Sequence, residues 1–143
     1  MSSTVSPVDV LRRYKVVAVV GASKNPEKEA HTVPAYLKDH GYRIIPINPT
    51  TDSVLDEKAY KSLSEVPLEL AKQVEVVDVF RPSEELPEVA RQVADLKKRT
   101  GKDVIFWAQL GLEHQDAKKI LADNGIEYVM DACMMALHRS NLS

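Results

Sequence analysis

The sequence predicts an α/β fold: a Rossmann-like, doubly wound sheet of five parallel strands with helices on both faces. Short apolar runs alternate with segments whose apolar residues recur at helical spacing, which is the pattern of repeated strand–helix–strand units. The first run, at residues 16–20, is apolar at every position, as is typical of a central parallel strand covered on both faces. Right-handed crossovers then favour the strand order 3-2-1-4-5.

The elements follow one another in the order that this fold requires. Strands are expected at residues 16–20, 44–47, 74–80, 103–107 and 126–130. Helices are expected at residues 7–13, from 32 to a stop at Gly41, and at 83–99, 113–123 and 133–138. Residues 1–5 are expected to be loose, and residues 48–74 to hold only short pieces of structure.

Capping residues and prolines set the expected helix starts. Ser6 is an N-cap followed by Pro7 at the first helical position. The second helix is expected to begin at Thr32, because Pro34 is tolerated in a first turn, where its missing N–H has no partner to lose. Ser83 is expected to cap the long fourth helix.

The composition indicates one domain spanning residues 1–143. Hydrophobic residues make up 44% of the chain and charged residues 28%, as in an ordinary globular domain. The net charge of −2 gives no general attraction to nucleic acid, so an anion site has to be local. A single cysteine excludes an internal disulfide framework and agrees with a cytoplasmic location. No apolar run approaches the roughly 20 residues of a membrane helix, and no signal-peptide pattern is present.

Four loops follow the first four strands, at residues 21–28, 48–50, 80–83 and 107–111. The carboxyl ends of parallel strands share one edge of the sheet, and the ligand crevice of a doubly wound fold lies there. These loops are therefore expected to surround one site.

The loop residues favour a phosphate ligand. Gly21 permits a tight turn and close backbone approach, and Ser23 offers a hydroxyl. Lys24, Lys28 and Arg81 bring up to three cations to the same mouth, and Arg81 carries the planar fork that pairs with phosphates. The start of the second helix adds free N–H donors.

Two absences argue against the commonest nucleotide sites. Dinucleotide folds carry a second glycine in the first loop and an acid at the tip of the second strand. This chain has Ser23 in place of that glycine and Asn48-Pro49 at the strand tip, which disfavours NAD. No G-x-x-x-x-G-K-[ST] motif occurs, so an ATPase is not expected.

The four loop motifs together resemble a known family. Val-Val-Gly-Ala-Ser, Ile-Asn-Pro, Val-Asp-Val-Phe-Arg-Pro and Trp-Ala-Gln-Leu-Gly, in this order, look like the small stand-alone CoA-binding domain proteins. Those proteins resemble the N-terminal CoA-binding domain of the succinyl-CoA synthetase α subunit. The resemblance runs from about Leu11 to His138, nearly the whole chain.

This resemblance implies a Rossmann-like domain that binds coenzyme A through its adenosine phosphate end. CoA carries a 3′-phosphate in addition to a diphosphate, so it calls for cations where NAD calls for an acid. The implied cofactor-binding residues are Gly21, Ala22, Ser23, Lys24, Lys28, Thr32, Val33, Asn48, Pro49, Val79, Phe80, Arg81, Pro82, Trp107, Gln109 and Gly111. For Trp107 a place in the core stays equally open.

No complete catalytic or metal-binding set is visible, so the chain is interpreted as a non-catalytic binding module. The family commonly shows Asp-Arg-Cys and a Glu-His pair near the C-terminus, but this chain has Asp131-Ala132-Cys133 and Leu137-His138. Cys133 and His138 are five residues apart, so they do not share a helical stripe. The synthetase phosphohistidine belongs to a second domain that has no counterpart in this sequence.

Several alternatives stay open at this stage. The chain could be an enzyme acting on an acyl-CoA, an NADP-dependent reductase whose Arg81 or Lys28 reads the 2′-phosphate, or a scaffold that no longer uses its site. Free CoA and an acyl-CoA are equally compatible with the loops, and a homodimer is possible. Neither a membrane nor a nucleic acid is expected as a partner.

Overall fold

The computed structural model, which covers residues 1–143, confirms an α/β fold with a mostly parallel central sheet. Its strands are β1 Ser2–Ser3, β2 Val16–Val20, β3 Arg43–Ile47, β4 Ser53–Val54, β5 Glu57–Lys58, β6 Val76–Val79, β7 Ile105–Ala108 and β8 Tyr128–Met130. Its helices are α1 Pro7–Arg13, α2 Glu29–Asp39, α3 Leu68–Ala71, α4 Leu86–Thr100, α5 Gln115–Asp123 and α6 Met134–Asn141. None of these helices is both long and apolar enough to cross a membrane.

The order of the strands differs from the prediction. The main sheet has six strands in the order β1-β8-β7-β6-β2-β3, and β4 and β5 form a separate hairpin. Numbered along the chain, the five parallel strands lie in the order 2-1-3-4-5. The predicted order 3-2-1-4-5 is therefore wrong, since the third parallel strand lies beside the first. The predicted total of five strands is also wrong, since β1 adds a sixth.

Pro46 accounts for the position of β3 at the edge of the sheet. A proline has no N–H to donate to a ladder, so within sheets it is confined to edge strands and bulges. Pro46 lies opposite Val19 of β2, and its carbonyl faces outward to accept from the Tyr60 amide at 3.0 Å. The amide of Asn48 in turn donates to the Tyr60 carbonyl at 2.8 Å. The outer side of β3 thus needs no continuous partner strand.

The sixth strand covers the opposite edge. β1 runs antiparallel to β8, with Ser2 opposite Met130 and Ser3 opposite Val129. Residues 1–5, which the sequence predicted to be loose, therefore include a paired strand. The pairing covers backbone groups of β8 that would otherwise form an open sheet edge.

Both faces of the sheet are buried, as the apolar first strand predicted. Val17 and Val19 pack into the layer under α1, α2 and α6, whereas Ala18 and Val20 pack into the layer under α4 and α5. The alternation follows from the period of two along a strand. Because helices cover both faces, a ligand can reach the sheet at the carboxyl ends or the amino ends of its strands, which are called below its carboxyl edge and its amino edge.

Two helix starts differ from the prediction. α2 begins at Glu29, three residues before Thr32, so Pro34 lies in its second turn. Ser83 does not cap the long helix: a 3-10 turn, Ser83–Glu85, precedes α4. The Ser83 hydroxyl accepts instead from the amide of Glu113 at 3.3 Å, which joins two of the loops at the carboxyl edge.

An aromatic cluster joins α2 to α6. His138 is buried, and its Nδ1 lies 2.9 Å from the hydroxyl of Tyr36, with the rings of His40 and Tyr42 in edge contact. Burial lowers the pKa of His138, and repulsion from His40 and Lys15 lowers it further.

This cluster predicts a loss of stability in mild acid. A lowered folded-state pKa means that the unfolded chain binds the proton more tightly, so the stability is fully present above the unfolded value of about 6.5 and is lost as the pH falls below it. We expect the urea midpoint to fall between pH 7.5 and pH 5.5, and to fall less in His138→Gln. Equal falls in both proteins would contradict this assignment.

Candidate functional site

The loops after β2, β3, β6 and β7 meet where the strand order reverses, between β2 and β6. Ligands of open α/β sheets bind at this switch point. A cavity of about 410 Å³ opens there, and of the predicted residues Lys28, Phe80, Arg81, Pro82 and Gln109 line it. The sequence did not identify its other lining residues, which are Glu29, Ala30, Leu110 and Leu112.

Gly21 brings the loop after β2 against the carboxyl end of β6. Its φ is +88°, and a Cβ built on it would lie 2.7 Å from the carbonyl oxygen of Phe80 and 3.1 Å from Cδ of Arg81. Its amide donates to the Ile47 carbonyl at 3.1 Å. Only glycine fits this position, and the chains of β2 and β6 approach closely because it is there.

The amino end of α2 faces the cavity with free donors. Lys28 is the N-cap and supplies no capping side-chain bond, and the amides of Glu29 and Ala30 donate to no other group of the protein. Both residues line the cavity. Unpaired amides and the positive end of an 11-residue helix form a site suited to an anion.

Ser23 is held against α2 by two hydrogen bonds and within its own loop by a third. Its amide donates to the Ala30 carbonyl at 3.1 Å, and Nδ1 of His31 donates to its carbonyl at 2.8 Å. The Ser23 hydroxyl accepts from the amide of Asn25 at 3.0 Å. Pro34 leaves the Ala30 carbonyl available, because the proline four residues on has no N–H to occupy it.

Replacing Pro34 by Ala tests this arrangement. The new N–H competes with Ser23 for the Ala30 carbonyl, while the helix gains about 3 kcal/mol of intrinsic propensity. We expect Pro34→Ala to keep or raise the unfolding midpoint and to speed amide hydrogen exchange at Ser23. Unchanged exchange at Ser23 would mean that the proline does not govern the loop.

Arg81 reaches the cavity but is already paired. Its guanidinium donates to both carboxylate oxygens of Glu85, with Nη2 at 3.1 and 2.9 Å. The two side chains are 45% and 44% exposed, so the pair contributes little stability and can exchange for another anion. Lys24 and Lys28 are exposed and form no salt bridge.

Four predicted residues lie in the core and not on the cavity wall: Ala22, Val33, Val79 and Trp107. Trp107 is fully buried, and its Nε1 donates to the Ala132 carbonyl at 2.8 Å. These residues shape the loops from beneath.

The remaining predicted residues support the loops. Asn48 donates from Nδ2 to the Ala22 carbonyl at 2.8 Å and accepts on Oδ1 from the amide of Thr50 at 2.7 Å. Thr32 donates its hydroxyl to the Lys28 carbonyl at 3.1 Å, and the Gly111 amide donates to Asp131 at 2.7 Å. Pro49 is exposed next to Asn48.

Cys133 and His138 do not form a catalytic pair in this geometry. Cys133 is the half-buried N-cap residue of α6, and His138 is bonded to Tyr36. No hydrogen bond joins the two side chains.

A larger cavity of about 760 Å³ lies at the opposite edge, by the amino ends of the strands. Its lining mixes acids and bases, among them Glu75 and Lys102, and the Glu75 carboxylate already accepts from the amides of Lys15 and Val16. The smaller cavity is the better candidate because the free helix amides and the strand switch point coincide there.

Comparison with known proteins shows the family to which the chain belongs. The family model for the CoA binding domain matches residues 15–139. The uncharacterized protein YneT of Bacillus subtilis is 38% identical over 91% of this chain and 90% of its own length. A hypothetical protein from Pyrococcus horikoshii has a structure that superposes with a TM-score of 0.84 at 33% identity, covering 98% of this chain and 94% of the other.

A much longer relative matches in part. The ADP-forming acetate–CoA ligase II of Archaeoglobus fulgidus is 34% identical over 56% of this chain, which corresponds to 12% of the ligase. The chain belongs to the CoA-binding domain family.

Proposed function

We propose that the protein binds coenzyme A, free or acylated, at the carboxyl edge of its sheet and acts as a non-catalytic binding module. The observation that carries the proposal is the amino end of α2, whose two free amides and the Lys28 side chain line the same cavity as Arg81. Phosphate is the ligand group that such a combination favours.

The shape of the cavity supports a ligand with an apolar arm as well as phosphates. Its far wall carries Gln109, Leu110 and Leu112, and Leu110 is 65% exposed although leucine is apolar. We propose that the pantetheine arm passes along this wall, while Gly21, Ser23 and Lys28 bind phosphate.

The proposal that the module is non-catalytic rests on the use of its candidate groups elsewhere. The Nδ1 of His138 is bonded to Tyr36, and Cys133 is the half-buried N-cap residue of α6 with no hydrogen bond to His138. No observation in this site favours a reductase or an acyl-CoA enzyme over a binding module. We further propose that residues 1–143 work as one domain in the cytoplasm.

Calorimetric titration with CoA, dephospho-CoA and NADPH tests the ligand. We expect CoA to bind more tightly than dephospho-CoA, because the cations at the mouth can pair with the 3′-phosphate, and we expect NADPH to bind weakly. Equal affinity for CoA and dephospho-CoA would remove the proposed role of the cations, and the absence of any CoA binding would end the proposal.

Single charge removals identify the cation that contacts the 3′-phosphate. We expect Lys28→Gln and Arg81→Gln each to weaken CoA binding about three- to tenfold, since charged hydrogen bonds at exposed sites contribute modestly. The exposed Lys98, on α4, provides the matched control Lys98→Gln, which should bind as the wild type does. A variant that binds CoA and dephospho-CoA with equal affinity has lost the contact to the 3′-phosphate.

A further inference from the structure

Three buried polar atoms near the crevice have no hydrogen-bond partner: both carboxyl oxygens of Asp78 and Nε2 of Gln109. Asp78 is 0% exposed and Gln109 is 3% exposed. Buried polar groups are paired in the great majority of cases, and an unpaired one is costly. The three atoms together therefore require an explanation.

The sheet register brings the two side chains to one place. Asp78 in β6 lies between Val19 of β2 and Trp107 of β7. Gln109 comes two residues after Trp107, just past the end of β7, and its backbone amide still donates to the Val79 carbonyl at 3.3 Å. The alternation along the strand therefore puts its long side chain on the same side of the sheet as Asp78. Both groups lie under the helices of the α1, α2 and α6 layer.

Gln109 links this buried position to the crevice. Its Oε1 accepts from the amide of Met134, the first residue of α6, at 3.3 Å, and its side chain also lines the cavity. A group that orients the Gln109 amide therefore orients both the start of α6 and one wall of the crevice.

We propose that Asp78 is a positioning residue that stays protonated and pairs with the Gln109 amide as a carboxylic acid pairs with a primary amide. The acid O–H donates to Oε1 of Gln109, and Nε2 of Gln109 donates to the carbonyl oxygen of the acid. This pair gives partners to all three atoms. A carboxylate cannot form it, because it has no proton to donate.

The surroundings of Asp78 favour the neutral acid. Burial is the larger influence on Asp78 and raises its pKa well above the usual value, while the backbone amide of Val79 lowers it by less. No charged side chain contributes to the shift. The titratable side chains in or against the same layer are Tyr14, Lys15, Tyr36, His40, Tyr42, Cys133 and His138. Neither Lys15 nor a histidine is among the groups that shift the pKa of Asp78.

The raised pKa fixes the direction of the pH dependence. The folded protein holds the Asp78 proton more tightly than the unfolded chain does. As the pH rises above the unfolded pKa of about 3.9, the unfolded chain ionises while the folded protein does not, so stability falls until the folded pKa is passed. Asp78→Asn keeps the shape and can still pair with an amide, but it does not ionise. The unfolding midpoint of Asp78→Asn should therefore exceed that of the wild type by an amount that widens with pH.

Carbon-13 NMR of aspartate carboxyl groups tests protonation directly in the wild-type protein. We expect one carboxyl carbon to keep the chemical shift of a protonated acid at pH 7, and this signal to be absent from Asp78→Asn. Asp103→Asn is the matched control, since the Asp103 side chain is 97% exposed and its removal should leave the signal in place. If every carboxyl carbon is ionised at pH 7, the proposal is overturned.

The effect on ligand binding rests on the proposed function and is measured separately. We expect the affinity for CoA to fall with rising pH more in the wild type than in Asp78→Asn. In Gln109→Leu, replacing Asp78 by Asn should no longer change this pH dependence. A protonated Asp78 in a protein that binds no CoA would refute the proposed function and leave the pairing intact. Parallel pH profiles of binding in the wild type and Asp78→Asn would refute the positioning role.

Discussion

Gly21→Ala is expected to lower the free energy of unfolding by about 2–5 kcal/mol and to abolish CoA binding. A side chain at positive φ costs about 1–2 kcal/mol, and relief of a steric clash in a packed site adds about 1–3 kcal/mol. The clash here is with backbone, since the new Cβ would lie 2.7 Å from the Phe80 carbonyl oxygen. Its relief has to separate β2 from β6 where the ligand crevice begins.

Gly41→Ala is the matched control. Gly41 has a φ of +91°, close to that of Gly21, but nothing lies within 4 Å of a Cβ built on it. It should therefore show the backbone cost alone and bind CoA as the wild type does. Urea unfolding and calorimetry measure both quantities. If the two variants lose equal stability and both bind CoA, the close approach at Gly21 has no role.

The local pattern of the sequence predicted the elements and the four loops well, but not the order of the strands. Apolar runs and their alternation with helical segments depend on burial alone, so β2 and β3 could be located within a residue or so. Strand order depends on which strand tolerates an edge. Pro46 carried that information, because a strand that contains a proline is disfavoured in the interior of a sheet.

The sequence indicated which loops form the candidate site, but not the ion pairs and hydrogen bonds that their residues make with one another. The sequence analysis predicted no partner for Arg81 within the protein, yet Glu85, four residues away, forms an ion pair with it. Pro34 was expected in a first turn, whereas its missing N–H serves the contact between Ala30 and Ser23. Such partners compete locally for the same group, and only the folded geometry decides between them.

Asp78 shows a different limit of sequence reasoning. Its place in the run at residues 74–80 predicted a strand position, and the structure has Asp78 in β6 and fully buried. The partner that we propose for this acid, Gln109, follows another strand and is about thirty residues further along the chain, so it leaves no local signal. The family resemblance implied Gln109 as a ligand residue, while its bond to Met134 links it to α6.

Trp107→Ala is expected to lower the free energy of unfolding by about 3–5 kcal/mol, the usual cost of removing a large buried aromatic side chain. Trp107 is fully buried in the layer under α1, α2 and α6. Its Nε1 bond to the Ala132 carbonyl and the Gln109 bond to Met134 together attach the turn between β8 and α6 to the end of β7. Both the space left by the removed indole and the loss of its hydrogen bond destabilise this junction.

Trp107→Phe separates packing from hydrogen bonding. It keeps most of the buried volume and removes the N–H, so we expect a loss of about 1–2 kcal/mol from the unpaired Ala132 carbonyl and the smaller ring. CoA affinity should change little in Trp107→Phe, because the indole lies beneath the crevice and not on its wall. The chain has a single tryptophan, so the fluorescence of the wild type reports on this position alone. Strong quenching of that fluorescence by bound CoA, together with weak binding in Trp107→Phe, would instead make Trp107 a ligand contact.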